Sequence, residues 1–279
     1  MDVRLQEIAA RQDDLVASWQ LIAAGWTERM VRHHSRQGNW RRVHRGVYLL
    51  AQGEPTRHQR WLAATLTAPR TYLSHASAGA CEGFFAFDGS FEVVTRCGSG
   101  GRRRMGALLV CRSTTLDGHT TTKDGIPITT PERTLIDLAA HLDDTQLRRA
   151  FRESIRLKTT TTPKIAAAAT SSSRGRGTAR LLELAQRYEH VPYSRTRSDA
   201  EGNALERLLD ARAERPRVNV RIAGKEADLV FDDRKEILEI DGPQYHGFPE
   251  EHARKAARWQ GAGYTVWRVR SDDVYLSPP

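Results

Sequence analysis

Cysteine is scarce in this sequence: 279 residues include three, Cys81, Cys97 and Cys111. An odd number excludes a fully paired disulfide framework, and their spacing suits no thiolate metal site. They read as free thiols of a reducing compartment, most simply as small buried hydrophobes. Long apolar runs are also missing, and no stretch approaches the roughly 20 apolar residues of a membrane-spanning helix. The opening MDVRLQEIAARQDD mixes both charge signs and has no apolar centre of a signal peptide. The expectation is a cytoplasmic protein with no membrane partner. There is no internal repeat, and the glycine–arginine segment GSGGRRR (98–104) lacks the GK[ST] ending of a phosphate loop.

Basic charge is what the chain has in excess. Lysine and arginine number 43 against 34 acids, a net charge of +9 dominated by arginine. Such a balance favours polyanionic partners, and the guanidinium fork suits phosphate. The length and an apolar content of 39% allow one large or two to three small domains with sizeable cores.

The first fifty residues read as three short helices and a hairpin. LQEIAARQ and VASWQLIAAG are helical, the second stopped by Gly25. Thr27 is placed to cap a third helix, TERMVRHHSRQG, with Gly38 at its end. NWRRVHRGVYLL then alternates apolar and basic residues around His44-Arg45-Gly46, the pattern of a two-stranded wing. Arg29, Arg32 and Arg36 fall near one face of the third helix, and Arg41, Arg42 and Arg45 arm the hairpin. Helix, helix, basic helix, basic hairpin is the order of a winged helix-turn-helix, whose recognition helix enters the major groove of double-stranded DNA while the wing meets phosphates. The competing reading is a solvated basic face. The run AAGWTERMVRHHSRQGNWRRVHRGVY resembles the N-terminal winged-helix domain of the AbiEi-family antitoxins of type IV toxin–antitoxin systems, through Gly25, Arg36-Gln37-Gly38, Trp40 and His44-Arg45-Gly46-Val47-Tyr48. That resemblance implies promoter binding and a cognate toxin or defence partner.

The middle region, 55–194, reads as mixed α/β. TRHQRWLAATLTA is helical, TYLSHASAGACEGF is a strand entering a helix, and FEVVT and ALLVCRS are strands. In ITTPERTLIDLAAHL, Thr130 precedes Pro131 and Glu132, a helix start. Ser74-His75-Ala76-Ser77-Ala78 and the segment from Pro131 to Ala139 extend the antitoxin resemblance. His75 beside Ser74 and Ser77 would suit nucleophilic catalysis, but no third, orienting acid can be placed, so a packed helix start is expected there. Arg133 and Asp137, one turn apart, read as a surface pair. Residues 170–177 read as a loop before the helix TARLLELAQRY.

The C-terminal part, 195–279, orders its elements as helix, three strands, helix, strand. The helix SDAEGNALERLLDARA places Glu201 in its first turn. The strands EADLVF and EILEID are joined by a short polar turn and pair as a hairpin, so Asp228, Glu239 and Asp241 share one face. Three carboxylates among apolar neighbours repel unless a cation neutralises them, and oxygen ligands suit Mg²⁺ or Mn²⁺. The alternative is an exposed acidic strand end. His246, after Gly242-Pro243, adds a titratable group.

Asp228, Glu239-Ile240-Asp241-Gly242, His246 and the final Gly263-Tyr264-Thr265-Val266-Trp267-Arg268 resemble the very-short-patch-repair (Vsr) branch of the PD-(D/E)xK nuclease superfamily. The resemblance implies a restriction-endonuclease-like domain cleaving DNA with Mg²⁺ or Mn²⁺. Asp228, Glu239 and the Ile240 carbonyl would be ligands, His246 a general base or phosphate contact, and Glu201 a water-orienting acid. The lysine usual in ExK is replaced by Asp241, and Lys255 on the next helix is the candidate to stand in for it. The expected whole is an α/β multidomain protein: a winged helix (1–54), an AbiEi-like middle region (55–194) and a Vsr-like nuclease fold (195–279). A non-catalytic transcriptional repressor or antitoxin is the rival expectation.

Overall fold

The computed structural model describes residues 3–37, 40–172, 176–242 and 249–275. The chain forms two compact units, 1–142 with 167–181, and 143–166 with 182–279. The middle region is thus shared between them, a different partition from the three consecutive segments read in the sequence.

The first unit begins with α1 (Val3–Ala10), β1 (Leu15–Ala17), α2 (Ser18–Ala23), α3 (Glu28–Arg36), β2 (Arg41–His44) and β3 (Val47–Leu49). The strands form a small antiparallel sheet in the order β1-β3-β2. Thr27 caps α3 by accepting from the Met30 N–H at 3.2 Å, with Glu28 in the first turn and His33, His34 and Arg36 in the last. Each charge sign is therefore at the helix end whose dipole it offsets. Gly38, the expected stop, lies outside the described residues. Val31, Trp26, Leu21 and Trp40 close a core under the helices, with the His34 ring stacked on Trp40 at 5.4 Å. Gly46 turns the hairpin at φ +76°, and its carbonyl accepts from the Ser18 N–H at 2.7 Å, tying the hairpin tip to α2.

The unit continues with α4 (Arg57–Thr65), β4 (Thr71–Leu73), α5 (His75–Glu82), β5 (Glu92–Cys97), β6 (Arg103–Met105), β7 (Leu108–Ser113), β8 (Thr120–Lys123), β9 (Ile126–Thr129) and α6 (Pro131–Ala139). The six strands form one mixed sheet, β6-β7-β5-β4-β9-β8, with β5/β7 and β4/β9 parallel. Its apolar face, including Leu73, Val94, Val110 and Ile128, shares a core with Leu15, Leu49 and Leu62. α6 starts as the sequence predicts, with Thr130 accepting from the Arg133 N–H and Pro131 in the first turn.

α7 (Asp144–Arg156) and α8 (Thr162–Ser171) lie where the sequence pattern assigns no element, and α9 (Arg176–Tyr188) follows. A Cβ at Gly177 would come within 3.1 Å of the Ala140 nitrogen and the Ile136 carbonyl, so the start of α9 lies against α6 at a distance only glycine permits.

The second unit ends in α10 (Asp199–Asp210), β10 (Arg217–Ile222), β11 (Lys225–Phe231), β12 (Glu236–Asp241), α11 (Pro249–Gly261) and β13 (Thr265–Arg270). Helix, three strands, helix, strand is the order expected. The sheet is β10-β11-β12-β13. The first three strands are antiparallel, while β12 and β13 are parallel and joined through α11, as a parallel pair requires a crossover. Val230, Ile237, Trp259 and Tyr264 pack between this sheet and α11. No helix among the described residues is long and apolar enough to cross a membrane.

One buried group makes the N-terminal hairpin sensitive to acid. His44 is buried, its Nε2 has no hydrogen-bond partner, and burial lowers its pKa to about 4. The unfolded imidazole titrates near 6.5, so protons favour the unfolded chain as pH falls from about 6.5 to 4, costing at most about 3 kcal/mol. His44→Gln should therefore lose less stability than the wild type between pH 7.5 and 5 in parallel thermal melts. Equal losses would contradict this account.

Candidate functional site

The site is built where β11 meets β12. Their backbone ladder runs from Phe231↔Glu236 to Leu229↔Leu238. One step further, side chains take over the pairing. The Asp228 N–H donates to Glu239 Oε1 at 3.1 Å, and the Ile240 N–H donates to Asp228 Oδ2 at 2.8 Å. The two carboxylates are thereby fixed side by side. Glu239 is buried and accepts a hydrogen bond from Lys255 Nζ at 2.7 Å. Lys255 stands on α11 and also lies over the ring of Trp259 at 4.7 Å, so the same helix that closes the core delivers the ammonium to the acids.

Burial, then the neighbouring Glu239, raises the Asp228 carboxyl to about 7, with Glu201 adding to the effect and the Ile240 N–H and Lys255 opposing it. Glu201 is itself buried at the start of α10. Its carboxylate accepts from Ser198 Oγ at 3.1 Å, the Arg197 N–H at 2.9 Å and Asn219 Nδ2 at 2.7 Å. Its side chain thus caps the start of α10 and ties that helix to β10 through Asn219.

Asp241 finds its partner on β13. The side chain is taken up by Arg268, whose Nε and Nη2 donate to its two oxygens at 3.0 and 2.6 Å. Strand alternation keeps it on the side of Glu239, but β13 supplies its counter-charge. Of the three acids grouped in the sequence, Glu239 and Asp241 are thus answered by the chain's own cations, while Asp228 receives only the Ile240 N–H among the described residues. His246 lies outside the described residues.

The donor set has two juxtaposed carboxylates, Asp228 and Glu239, beside the Ile240 main chain. Among the described residues no three His, Cys, Asp or Glu side chains gather as a metal cage. Two hard carboxylates whose mutual repulsion is only partly compensated still fit Mg²⁺ or Mn²⁺, because magnesium keeps most of its waters and takes one or two carboxylates plus substrate phosphates.

The six N-terminal arginines, Arg29, Arg32, Arg36, Arg41, Arg42 and Arg45, are all exposed. Arg32 lies 3.9 Å from Glu28, and Arg41 pairs with Glu54, so part of this basic surface is locally compensated. Residues 3–51, spanning these arginines, match the family model described as a transcriptional regulator, AbiEi antitoxin. The chain has an AbiEi-like N-terminal segment. No curated protein matches the chain. The AbiEi match ends before the acidic site.

Two readings of the middle region also change. Arg133 and Asp137 are not a surface pair: their side chains are 11% and 10% exposed. Asp137 also supplies an acid near His75, with Oδ2 3.8 Å from Nδ1. Neither was visible in the local sequence, because the burial and the contact arise between separate elements.

The raised Asp228 pKa fixes a sign for stability. The unfolded carboxyl ionises near 4 and the folded one near 7. Folding is therefore opposed by ionisation as pH rises through that window, by about 4 kcal/mol at most. Metal-free Asp228→Asn should lack this slope and melt above the wild type at pH 8, with the gap closing toward pH 4. Parallel melting curves would count against the arrangement.

Proposed function

We propose that this chain is a DNA-directed, metal-dependent nuclease of the PD-(D/E)xK kind, with the AbiEi-like segment acting as a winged helix-turn-helix that engages duplex DNA. The observation that carries the reading is the junction of Asp228, Glu239 and Lys255, two acids and an ammonium held together by β11, β12 and α11. The element order of the second unit and the α1-β1-α2-α3-β2-β3 order of the first support the two halves of the proposal.

In this mechanism Asp228, Glu239 and the Ile240 carbonyl hold Mg²⁺ or Mn²⁺. When bound, the ion supplies Lewis-acid stabilisation of charge on a phosphoryl oxygen. Glu239 holds Lys255 Nζ beside the acids, where it would steady the attacking water or the developing negative charge. Lys255 thus takes the place of the ExK lysine that Asp241 lacks. Asp241 holds Arg268 and positions β13. His246 serves as proton acceptor or phosphate contact. The exposed arginines of α3 and the hairpin bind phosphates and release counterions.

The second reading is a transcriptional regulator or antitoxin in which the C-terminal unit is a binding surface, and the AbiEi match favours it. A cognate toxin or defence partner and a cytoplasmic setting belong to either reading.

Cleavage of plasmid and linear duplexes with Mg²⁺ or Mn²⁺ separates the two. A nuclease should lose activity in Asp228→Ala, Glu239→Ala and Lys255→Ala. It should lose roughly a hundred- to ten-thousand-fold in His246→Ala, while all four variants retain DNA binding. No cleavage by any preparation, with duplex binding intact, gives the regulator. Activity unchanged in Asp228→Ala ends the nuclease proposal.

DNA binding itself should weaken by orders of magnitude from low to moderate salt. It should be lost in Arg36→Ala combined with Arg45→Ala in gel-shift titrations of the full chain. Binding indifferent to both salt and these arginines removes the N-terminal part of the proposal.

A further inference from the structure

The first unit contains a cavity of about 270 Å³ that neither reading above employs. It opens among the start of α5, the glycine loop between β5 and β6, strand β7 and helix α6. Arg133 is the fixed part of its wall. Its Nε donates to Asp137 Oδ1 at 2.9 Å, Nη1 to the Thr115 carbonyl at 2.5 Å, and Nη2 to Ser113 Oγ at 3.0 Å. A guanidinium so fully engaged serves to hold Asp137. The other oxygen, Asp137 Oδ2, is buried and has no hydrogen-bond partner, although the side chain is 90% buried and lines the cavity. A buried carboxylate oxygen without a donor is costly, and a ligand hydroxyl or N–H would satisfy it.

The facing wall is basic. Arg112 on β7 lies along the glycine loop: a Cβ on Gly100 would come within 3.0 Å of its Cδ, and one on Gly98 within 3.4 Å of its Nη1. Both glycines have φ near +126°, a backbone that side chains resist. The loop is therefore shaped around this arginine. Arg102, at the end of the loop, donates to His141 Nε2, and the His141 ring stacks 6.1 Å from that of His75. Burial lowers the pKa of His75, Asp137 opposing and Arg102, His141 and Arg133 adding to the effect.

A hydrolytic triad is excluded by geometry. Ser74 is fully buried, and it meets the same ring nitrogen, Nδ1 of His75, that faces Asp137. A triad needs its nucleophile and its acid on opposite nitrogens.

We propose that this cavity binds a small phosphate ester, with its phosphoryl oxygens on Arg102 and Arg112 and a hydroxyl or amino donor of the same molecule on Asp137 Oδ2. Guanidinium pairs suit phosphoryl oxygens. The volume, near the lower end of small-molecule pockets, admits a phosphoryl group with one ring and excludes a duplex.

Calorimetric titration of the full-length protein with inorganic phosphate, ribose 5-phosphate, AMP and adenosine tests this. Ribose 5-phosphate should bind; AMP, whose base exceeds the single ring that the cavity admits, and adenosine should not. Arg102→Gln with Arg112→Gln, both exposed and replaceable without loss of core, should weaken ribose 5-phosphate by roughly tenfold or more. Asp137→Asn should weaken ribose 5-phosphate. Arg36→Ala with Arg45→Ala should leave ester binding unchanged, which separates this site from the proposed DNA surface. The proposal is overturned if ribose 5-phosphate does not bind at millimolar concentration. It is equally overturned if affinities survive the double glutamine variant, or if a 5′-phosphorylated oligonucleotide binds there while the small esters do not.

Discussion

The second unit depends on a single buried carboxylate. Glu206 on α10 is 4% exposed, and an ionised acid at that depth is tolerable only when it is densely paired. Arg148 and Arg152 from α7 and Arg187 from α9 each reach it at 3.2 Å. The Tyr188 and Tyr193 hydroxyls donate to it at 2.5 and 3.2 Å. Burial and the adjacent charge push both phenols up, so they remain donors throughout the physiological range. Three segments thus converge on one point of α10 and fix where that helix lies. The first turn of the same helix carries Glu201, whose bond to Asn219 reaches β10. The helix that Glu206 anchors is thereby tied to the edge of the sheet that carries the acidic site.

At the site itself the decisive constraint is strand register. A slip of one residue between β11 and β12 would send Asp228 and Glu239 to opposite faces. The apolar pairs Leu229↔Leu238 and Val230↔Ile237 hold the alignment, so hydrophobic burial positions the charges. Acids at strand positions then survive because cations come from two directions, Lys255 from the covering helix and Arg268 from the parallel neighbour. Arg268 leaves Asp241 as a strut and Lys255 leaves Glu239 oriented, which is why two acids of similar sequence context end with different work.

Periodicity and caps made the helices and strands around both proposed sites legible. Thr27 and Thr130 each cap the helix expected of them, because capping is local chemistry; Ser198 caps α10 as well. α7 was hidden for a physical reason: Arg152 and Glu153 are buried within it, so its inward face does not look apolar. The pairing of Asp228 with Glu239 followed from strand alternation, and Lys255 was within reach of reasoning because it lies on the next helix. The Arg268 partner of Asp241 and the approach of Asp137 to His75 join elements distant in sequence. No local pattern announces such pairs, and the same is true of the burial of Arg133.

The path of the chain has a consequence for how such a protein can change. Residues 167–181 return to the first unit after 143–166 have entered the second, so α8 and α9 each begin in one unit and end in the other. A single genetic cut anywhere in the chain therefore divides residues that belong to the same unit, so neither unit can be made as one contiguous piece of the sequence.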